Sequence, residues 1–198
     1  MIGEVYKEIE RTRNMPYRRG LIMAFVGVFL LHDISFSAAE RPAVYSNLSG
    51  SCVIQPEVEK IVFLHNKIRA EVGVGSLRWS EELAVYAQRW ADYLATSRCG
   101  IEHRPGSGKW RQEYGENLFI GTASHYGTSD AVTAWAKEKA NYRGGAIQAS
   151  RVADIGHYTQ MVWRDTREIG CGTGLCRGNL IVVCNYDPPG NFLRQKPY

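Results

Sequence analysis

The sequences GHYTQMVWRDT at residues 156–166 and IVVCNYDPPGN at residues 181–191 flank the most strand-like part of the chain. A short helical piece is expected within the first of them, where apolar side chains recur among polar ones. Two strands are predicted downstream, near residues 168–175 and 179–186, with an Arg-Gly turn signal between them. The two strands are therefore predicted to form a β-hairpin.

The residues upstream of this hairpin show helical patterns. Pro56 is tolerated at a first helical position, and apolar residues follow at helical spacing until Gly73. A second helix is predicted after Ser80, whose hydroxyl group can cap it, and a third near Ser129. Residues 117–120 fit a short strand. Helices come mostly first and strands last, which is typical of an α+β fold rather than of repeated βαβ units.

The overall composition is that of a globular domain. Of the 198 residues, 44% are hydrophobic and 22% are charged, which excludes a disordered, collagen-like or multi-span membrane protein. The formal net charge of +4 is too small and too dispersed to indicate a nucleic-acid-binding surface. We therefore expect one domain with one core and no nucleic-acid partner.

Residues 1–39 are interpreted as a secretory signal peptide. Residues 21–31 form an apolar run that two arginines precede, and the small residues before and at Ala39 suit a signal peptidase. A membrane anchor is the alternative, but a bilayer span needs about 20 apolar residues. We expect cleavage after Ala39 and secretion to the extracellular space, with Met15 as a possible second start.

The part of the chain after the signal peptide begins with an exposed lead-in over residues 40–55. Asn47 opens an Asn-Leu-Ser sequon, which is a glycosylation site if the chain enters the secretory path. Cysteines that lie outside the cell pair where geometry permits. Five cysteines cannot all pair within one chain, so at least one thiol stays free or bridges to another chain. They are Cys52, Cys99, Cys171, Cys176 and Cys184.

The two sequences quoted first resemble the signature blocks of the CAP superfamily, which comprises cysteine-rich secretory proteins, antigen five and pathogenesis-related class one proteins. Four further blocks occur in the family's order: HNKIR at 65–69, LAVYAQRWA at 83–91, YGENL at 114–118 and AVTAWAKE at 131–138. The resemblance covers roughly residues 56–198, and the sequence YDPPGN is similar to the plant pathogenesis-related class one branch.

The resemblance implies a fold and a pairing of cysteines. The implied fold is a single-domain α-β-α sandwich, with a small antiparallel sheet between helical layers and a C-terminal tail over residues 188–198. Two of the six family cysteines are absent here. The four that match imply the pairs Cys99–Cys171 and Cys176–Cys184. Cys52 has no family counterpart, so we expect a monomer in which Cys52 could allow a dimer.

The resemblance also implies a central cleft that carries two histidines and two glutamates. They are His103, Glu116, Glu138 and His157. Their spacing is not a local metal-binding motif. Imidazole and carboxylate groups suit a weakly bound divalent cation such as zinc, with water completing its shell. The same groups can also bond one another as a structural polar cluster without a metal, and both interpretations stay open.

A hydrolytic centre is a third interpretation of this cluster. It would need a metal-activated water or a nucleophile beside a base. Ser107, Ser124 and Thr159 are candidate nucleophiles by composition alone, since neither a nucleophile elbow nor an HExxH segment is present. We therefore expect a protein that is not an enzyme. His65 lies on the apolar stripe of the first helix and is expected to be a hydrogen-bonded core histidine.

The function that the resemblance implies is defence in the plant extracellular space, the apoplast. Relatives bind sterols and other lipids, and the plant branch acts against sterol-dependent microbes. A lipid needs an apolar groove, and the loops at residues 104–115 and 121–129 are its candidate walls. The alternative is a precursor of a signalling peptide, Pro188 to Tyr198, which a peptide receptor would bind.

Overall fold

The computed structural model describes residues 51–198. The predicted signal peptide, the sequon at Asn47 and most of the lead-in lie outside the described residues. None of the helices in residues 51–198 has the length and apolar character needed to cross a membrane. The helices are α1 (Gln55–Glu71), α2 (Glu81–Tyr93), α3 (Thr128–Lys137) and α4 (Val152–Met161), and the strands are β1 (Arg78–Trp79), β2 (Gly115–Thr122), β3 (Glu168–Cys176) and β4 (Asn179–Asp187).

The four strands form one sheet in the order β1-β3-β4-β2. β3 and β4 are the predicted hairpin, β2 pairs antiparallel with β4, and the two-residue β1 pairs parallel with β3. At the hairpin turn, Arg177 and Gly178 have φ values of 47° and 81°. This left-handed conformation at both central positions suits a tight turn and explains the glycine.

The side chains of β4 alternate between two helical layers. Cys184 and Tyr186 belong to a core that includes residues of α1, α3 and α4. Ile181 and Val183 belong to a second core that is formed with α2. Because successive side chains of a strand point to opposite faces, the sheet lies between α2 and the other three helices, and the predicted α-β-α sandwich is confirmed.

Glycines on β3 let α2 lie directly on the sheet. A Cβ atom at Gly170 would meet the backbone of Leu83 and Ala84, and one at Gly172 would meet the backbone of Gln88, each closer than van der Waals contact permits. Only a residue without a side chain fits at these points of contact. The glycines therefore determine how closely the helix approaches the strand.

Side-chain groups form hydrogen bonds with the backbone at both outer edges of the sheet. At β2, the indole Nε1 of Trp135 donates a hydrogen bond of 3.0 Å to the carbonyl of Leu118. Next to β1, the side chain of Asn66 bonds both the N–H (2.7 Å) and the carbonyl (3.0 Å) of Leu77. These side chains occupy backbone groups that an edge otherwise leaves unpaired.

Arg69 connects α1 to the end of α4. Its buried guanidinium group donates to the carbonyls of Met161, Trp163 and Thr166 at 2.8–3.0 Å, and Nε donates to Gly75 at 2.6 Å. Burial lowers the pKa of Arg69 to about 10. The charge is thus held inside the protein by carbonyl oxygens.

The predicted disulfide pairing is wrong, although the four predicted cysteines are the bonded ones. Cys171 pairs with Cys184, directly opposite it in the hairpin with a Cα–Cα distance of 4.1 Å, and Cys99 pairs with Cys176, at 5.5 Å. Cys171 and Cys176 are an odd number of residues apart on one strand, so their side chains face opposite layers. Cys176 therefore faces α2 and Cys99, while Cys52 remains free and exposed.

Candidate functional site

A cleft of about 580 Å³ lies between the start of β2, the first part of α4 and the segment that follows β4. His103, Glu116 and His157 line this cleft, whereas Glu138 is not among the lining residues. Its other walls come from residues within 112–117, 152–160 and 189–191. The structure therefore brings three of the four predicted site residues to one cavity and places the fourth behind its wall.

His103 and Glu116 form the first of two His–Glu pairs. The Nδ1 atom of His103 lies 2.8 Å from Oε1 of Glu116, and the side chains are 56% and 0% exposed. The backbone N–H of Arg104 donates to the same carboxylate oxygen at 3.1 Å. The second oxygen, Oε2, has no hydrogen-bond partner within residues 51–198 and lies 3.7 Å from Nε of Arg104.

His157 and Glu138 form the second pair. The Nδ1 atom of His157 lies 2.5 Å from Oε1 of Glu138. The other carboxylate oxygen accepts the backbone N–H groups of His157 (2.9 Å) and Tyr158 (3.1 Å). Glu138 begins the short turn after α3, so this carboxylate holds α4 against α3 and also orients the imidazole.

The predicted tetrad is therefore arranged as two pairs rather than as one ligand cluster. Each glutamate bonds the Nδ1 atom of its own histidine, which leaves Nε2 of His103 and of His157 for a ligand. No set of three or more His, Cys, Asp or Glu side chains in the described part of the chain is arranged to hold a metal. Zinc sites use three or four protein ligands, so a divalent cation would have two imidazoles and water, and weak binding remains the expectation.

Arg104 anchors the loop that carries His103. Its guanidinium group lies 3.8 Å from the centre of the Tyr86 ring and donates to the carbonyl of that residue at 2.5 Å. Trp90 and Trp110 surround the same group at 5.1 and 5.4 Å. Burial lowers the pKa of Arg104 from its ordinary value. Stacking on aromatic faces thus fixes the backbone beside His103.

The C-terminal segment forms one wall of the cleft, which sequence reasoning missed. The side-chain amide of Asn191 donates to the carbonyl of Gly156 at 2.7 Å, and its oxygen accepts the hydroxyl of Thr159 at 2.7 Å. Gln160 accepts the N–H of Gly190 at 2.9 Å. The PPGN sequence gives no local signal for these contacts, because the partners lie on α4.

The three candidate nucleophiles do not line the cleft. Ser107 is exposed in a loop. Ser124 bonds Nδ1 of the neighbouring His125 at 3.0 Å on an exposed turn. Thr159 is fully buried and donates its hydroxyl hydrogen to partners within α4 and the C-terminal segment. None of the three therefore stands beside a cleft imidazole.

Comparison with known proteins agrees with the fold. The family model of the cysteine-rich secretory proteins (CAP) matches residues 62–186. Pathogenesis-related protein PRMS of Zea mays is 41% identical, with 87% of this chain and 96% of that protein covered. Pathogenesis-related protein 1C of Nicotiana tabacum is 37% identical, with 83% and 94% covered.

Solved structures of the same fold are more distant in sequence. The structure of NaASP2 with Zn²⁺ has a TM-score of 0.63 and 24% identity, over 73% of this chain and 86% of that one. The structure of MpPR-1i has a TM-score of 0.52 and 22% identity, over 71% and 94%. From the family match and the identity to plant relatives, the chain belongs to the CAP family as a pathogenesis-related 1-like defence protein.

Proposed function

We propose that the protein acts outside the cell without catalysis, and that its cleft holds a sterol or another lipid with a hydroxyl group. The composition of the cleft is the observation that supports this proposal. The imidazoles of His103 and His157 share a cavity of about 580 Å³ with Val152 and Pro189, whose side chains offer only carbon atoms. An amphipathic molecule suits both kinds of wall.

The hydrogen bonds of the two histidines determine what they offer a ligand. A carboxylate accepts hydrogen bonds, so Nδ1 of each neutral ring carries the hydrogen and Nε2 keeps a lone pair. That lone pair accepts a hydrogen bond from a hydroxyl group. A sterol has one hydroxyl on a large apolar body, and this hydroxyl can donate to either imidazole while the body contacts the carbon atoms of the cavity wall.

Antimicrobial action follows from such binding. A protein that takes sterol from its surroundings deprives a microbe that depends on an external supply, and the plant relatives are pathogenesis-related proteins. The action requires secretion, which we propose residues 1–39 direct. When the full chain is expressed in plant cells, mature protein beginning at Glu40 is expected in the extracellular fluid. Retention of residues 1–39 in the cell-associated protein would contradict this.

A sterol-binding assay tests the role of the cleft. Titration of the secreted protein with fluorescent sterol, delivered from a cyclodextrin complex, is compared with the double variant His103→Ala/His157→Ala. The single sterol hydroxyl donates to one imidazole at a time, so removal of both acceptors is expected to raise the Kd about fivefold. His125→Ala is the matched control, since His125 lies on an exposed turn outside the cleft. Equal affinity of all three proteins, or no sterol binding, would overturn the proposal.

We propose a second function for residues 188–198, as a signalling peptide that proteolysis releases. Both disulfides, Cys99–Cys176 and Cys171–Cys184, lie upstream of Pro188. Cleavage before Pro188 would therefore leave no covalent bond to the rest of the protein. The eleven-residue segment PPGNFLRQKPY would then be held by non-covalent contacts alone, which include its hydrogen bonds and the ring contacts of Phe192 with Trp163 and of Tyr198 with Tyr142.

Mass spectrometry of extracellular fluid from wounded or infected tissue tests this second function. A fragment of residues 188–198 is expected, together with a receptor that binds the synthetic peptide. The scrambled peptide is the control for receptor binding. Recovery of the intact protein alone would count against release of the segment.

A further inference from the structure

Three exposed apolar side chains lie at the mouth of the cleft. Val152 lines the cleft at the start of α4 and is 37% exposed. Phe192 and Leu193 directly follow Asn191, another lining residue, and are 49% and 54% exposed. Large apolar side chains that stand together in solvent indicate an interaction surface.

Basic side chains lie on the same two segments as these apolar residues. The loop before α4 and the C-terminal segment are joined by two backbone hydrogen bonds of 2.8 Å, from Ile147 to Gln195 and from Arg194 to Ile147. Residues 141–156 and 188–198 contain four basic side chains and one acidic side chain, Asp154. The basic ones are Arg143, Arg151, Arg194 and Lys196.

Most of this positive charge has no ion-pair partner within residues 51–198. Arg143, Arg194 and Lys196 form no ion pair among the described residues. Arg151 lies 3.5 Å from Asp154, but both side chains are about half exposed, at 46% and 59%. Such a pair is weak in water. The surface therefore carries a net positive charge beside its apolar side chains.

We propose that this surface docks onto a lipid bilayer that contains anionic headgroups. We call it the basic–apolar rim and define it as residues 192–196 together with Arg143, Arg151 and Val152. The proposal rests on the proposed function, because docking would place the mouth of the cleft against the membrane that supplies its lipid. Apolar side chains enter the interface while neighbouring cations contact the headgroups.

The charge pattern favours a bilayer over an acidic protein as the partner. Phe192 and Leu193 are adjacent in an exposed turn, which the N–H of Gln195 closes onto the carbonyl of Phe192 at 3.1 Å. Neighbouring cations and large apolar side chains are together the composition of segments that lie in a membrane interface. Each Lys or Arg held near an anionic surface strengthens binding about fivefold.

Vesicle sedimentation tests the docking. The secreted protein is mixed with vesicles of phosphatidylcholine alone or of phosphatidylcholine with phosphatidylserine. Binding to the anionic vesicles is expected to be at least tenfold stronger and to weaken as salt is raised. Phe192→Ser/Leu193→Ser and Arg194→Gln/Lys196→Gln are each expected to reduce it at least tenfold. Folding of every variant is checked by its thermal unfolding midpoint.

Matched controls lie at the far end of the hairpin. Leu175 is 70% exposed and Arg177 follows it closely, outside the rim and the cleft. Leu175→Ser and Arg177→Gln are expected to bind vesicles like the unchanged protein. Equal binding of rim and control variants would overturn the proposal. So would equal binding to both vesicle types, or binding to soluble polyglutamate as strong as to anionic vesicles.

The same variants separate docking from lipid binding. The rim variants are expected to bind cyclodextrin-delivered sterol normally but to extract it slowly from vesicles. His103→Ala/His157→Ala is expected to bind sterol more weakly and still to sediment with anionic vesicles. If the unchanged protein binds anionic vesicles but no sterol, only the proposed function is overturned. If the rim variants extract sterol from vesicles at the normal rate, only the docking proposal is overturned.

Discussion

The phenolic hydroxyl of Tyr186 donates a hydrogen bond of 3.0 Å to Nε2 of His65, and both side chains are fully buried. The Nδ1 atom of His65 lies 2.8 Å from the carbonyl of Ile61, so it carries the hydrogen. Asn117 donates to the same hydroxyl and to the carbonyl of His157, each at 3.1 Å. A buried chain of hydrogen bonds thus runs from α1 to the cleft.

This arrangement predicts that the protein loses stability in acid. Burial, together with the positive charge of Arg69, lowers the pKa of His65 from 6.5 to about 4, although the bond to Ile61 opposes the shift. In the unfolded chain His65 binds a proton below about pH 6.5, whereas in the folded protein it does so only near pH 4. The free energy of unfolding therefore falls by about 3 kcal/mol between these pH values, with no further loss from this group below them.

Urea denaturation at pH 7 and pH 4.5 measures this loss. The variant His65→Gln is expected to be less stable at pH 7 but to show a smaller decrease on acidification. His125→Gln, at an exposed histidine, is the control and is expected to behave like the unchanged protein. An identical decrease in all three proteins would contradict the role of His65.

The close contact between β3 and α2 predicts that adding one methyl group to β3 lowers the stability of the protein. Gly172→Ala places a Cβ atom against the backbone of Gln88, which cannot move aside as a flexible side chain could. The expected loss is about 1–3 kcal/mol, measured by thermal unfolding. Gly106→Ala is the control, since no atom lies within 4 Å of its added Cβ. Equal unfolding midpoints would contradict the close packing.

The observed disulfides predict a particular peptide map. Digestion without reduction is expected to give linked fragments that contain Cys99 with Cys176, and Cys171 with Cys184. The first bond spans 77 residues and the second 13. In the chain-entropy account they stabilise the protein by about 4 and 3 kcal/mol, so replacing the first pair by alanine is expected to cost more. Fragments linking Cys99 to Cys171 would contradict the pairing.

The second His–Glu pair predicts a structural cost as well as a loss of binding. Glu138→Ala removes the acceptor for three hydrogen bonds, from Nδ1 and N–H of His157 and from N–H of Tyr158. We expect a loss of about 2 kcal/mol in the free energy of unfolding and weaker sterol binding. Glu102→Ala is the control, because its exposed pair with Arg98, at 3.8 Å, is weak.

The free cysteine predicts slow reaction with alkylating agents. Partial burial, and then the carboxylate of Asp92, raise the pKa of the Cys52 thiol. A smaller thiolate fraction at neutral pH slows alkylation by iodoacetamide. Asp92→Asn is expected to speed the reaction, as followed by mass spectrometry. The unchanged rate of this variant would contradict the influence of Asp92.

The sequence predicted the layers of the fold better than the contacts between them. The Arg-Gly turn signal between two strand-like stretches predicted the hairpin, and the structure extends its strands by only one residue each, to Cys176 and Asp187. The alternation of side chains along β3 separates Cys171 from Cys176, whereas the incorrect pairing was implied by the resemblance alone. By contrast, the close approach of α2 to β3 depends on a tertiary contact that no local pattern shows.

The resemblance named side chains that lie at or beside the cleft, but it did not indicate how these side chains pair. His103, Glu116 and His157 share the cleft as the resemblance implied. That each carboxylate serves its own imidazole depends on side-chain orientation, which spacing along the chain does not encode. The wall formed by Asn191 was missed for a related reason, since its hydrogen-bond partners lie more than thirty residues upstream.

The side chains of Trp135 and Asn66 at the two margins of the sheet have a consequence for how the protein behaves when concentrated. Unpaired backbone groups on an edge strand can pair with a strand of a second molecule, which is the first step toward fibrils and domain-swapped dimers. Here the carbonyl of Leu118 and both backbone groups of Leu77 are already engaged from within the molecule. Each of these contacts therefore removes a point at which a strand of another molecule would pair.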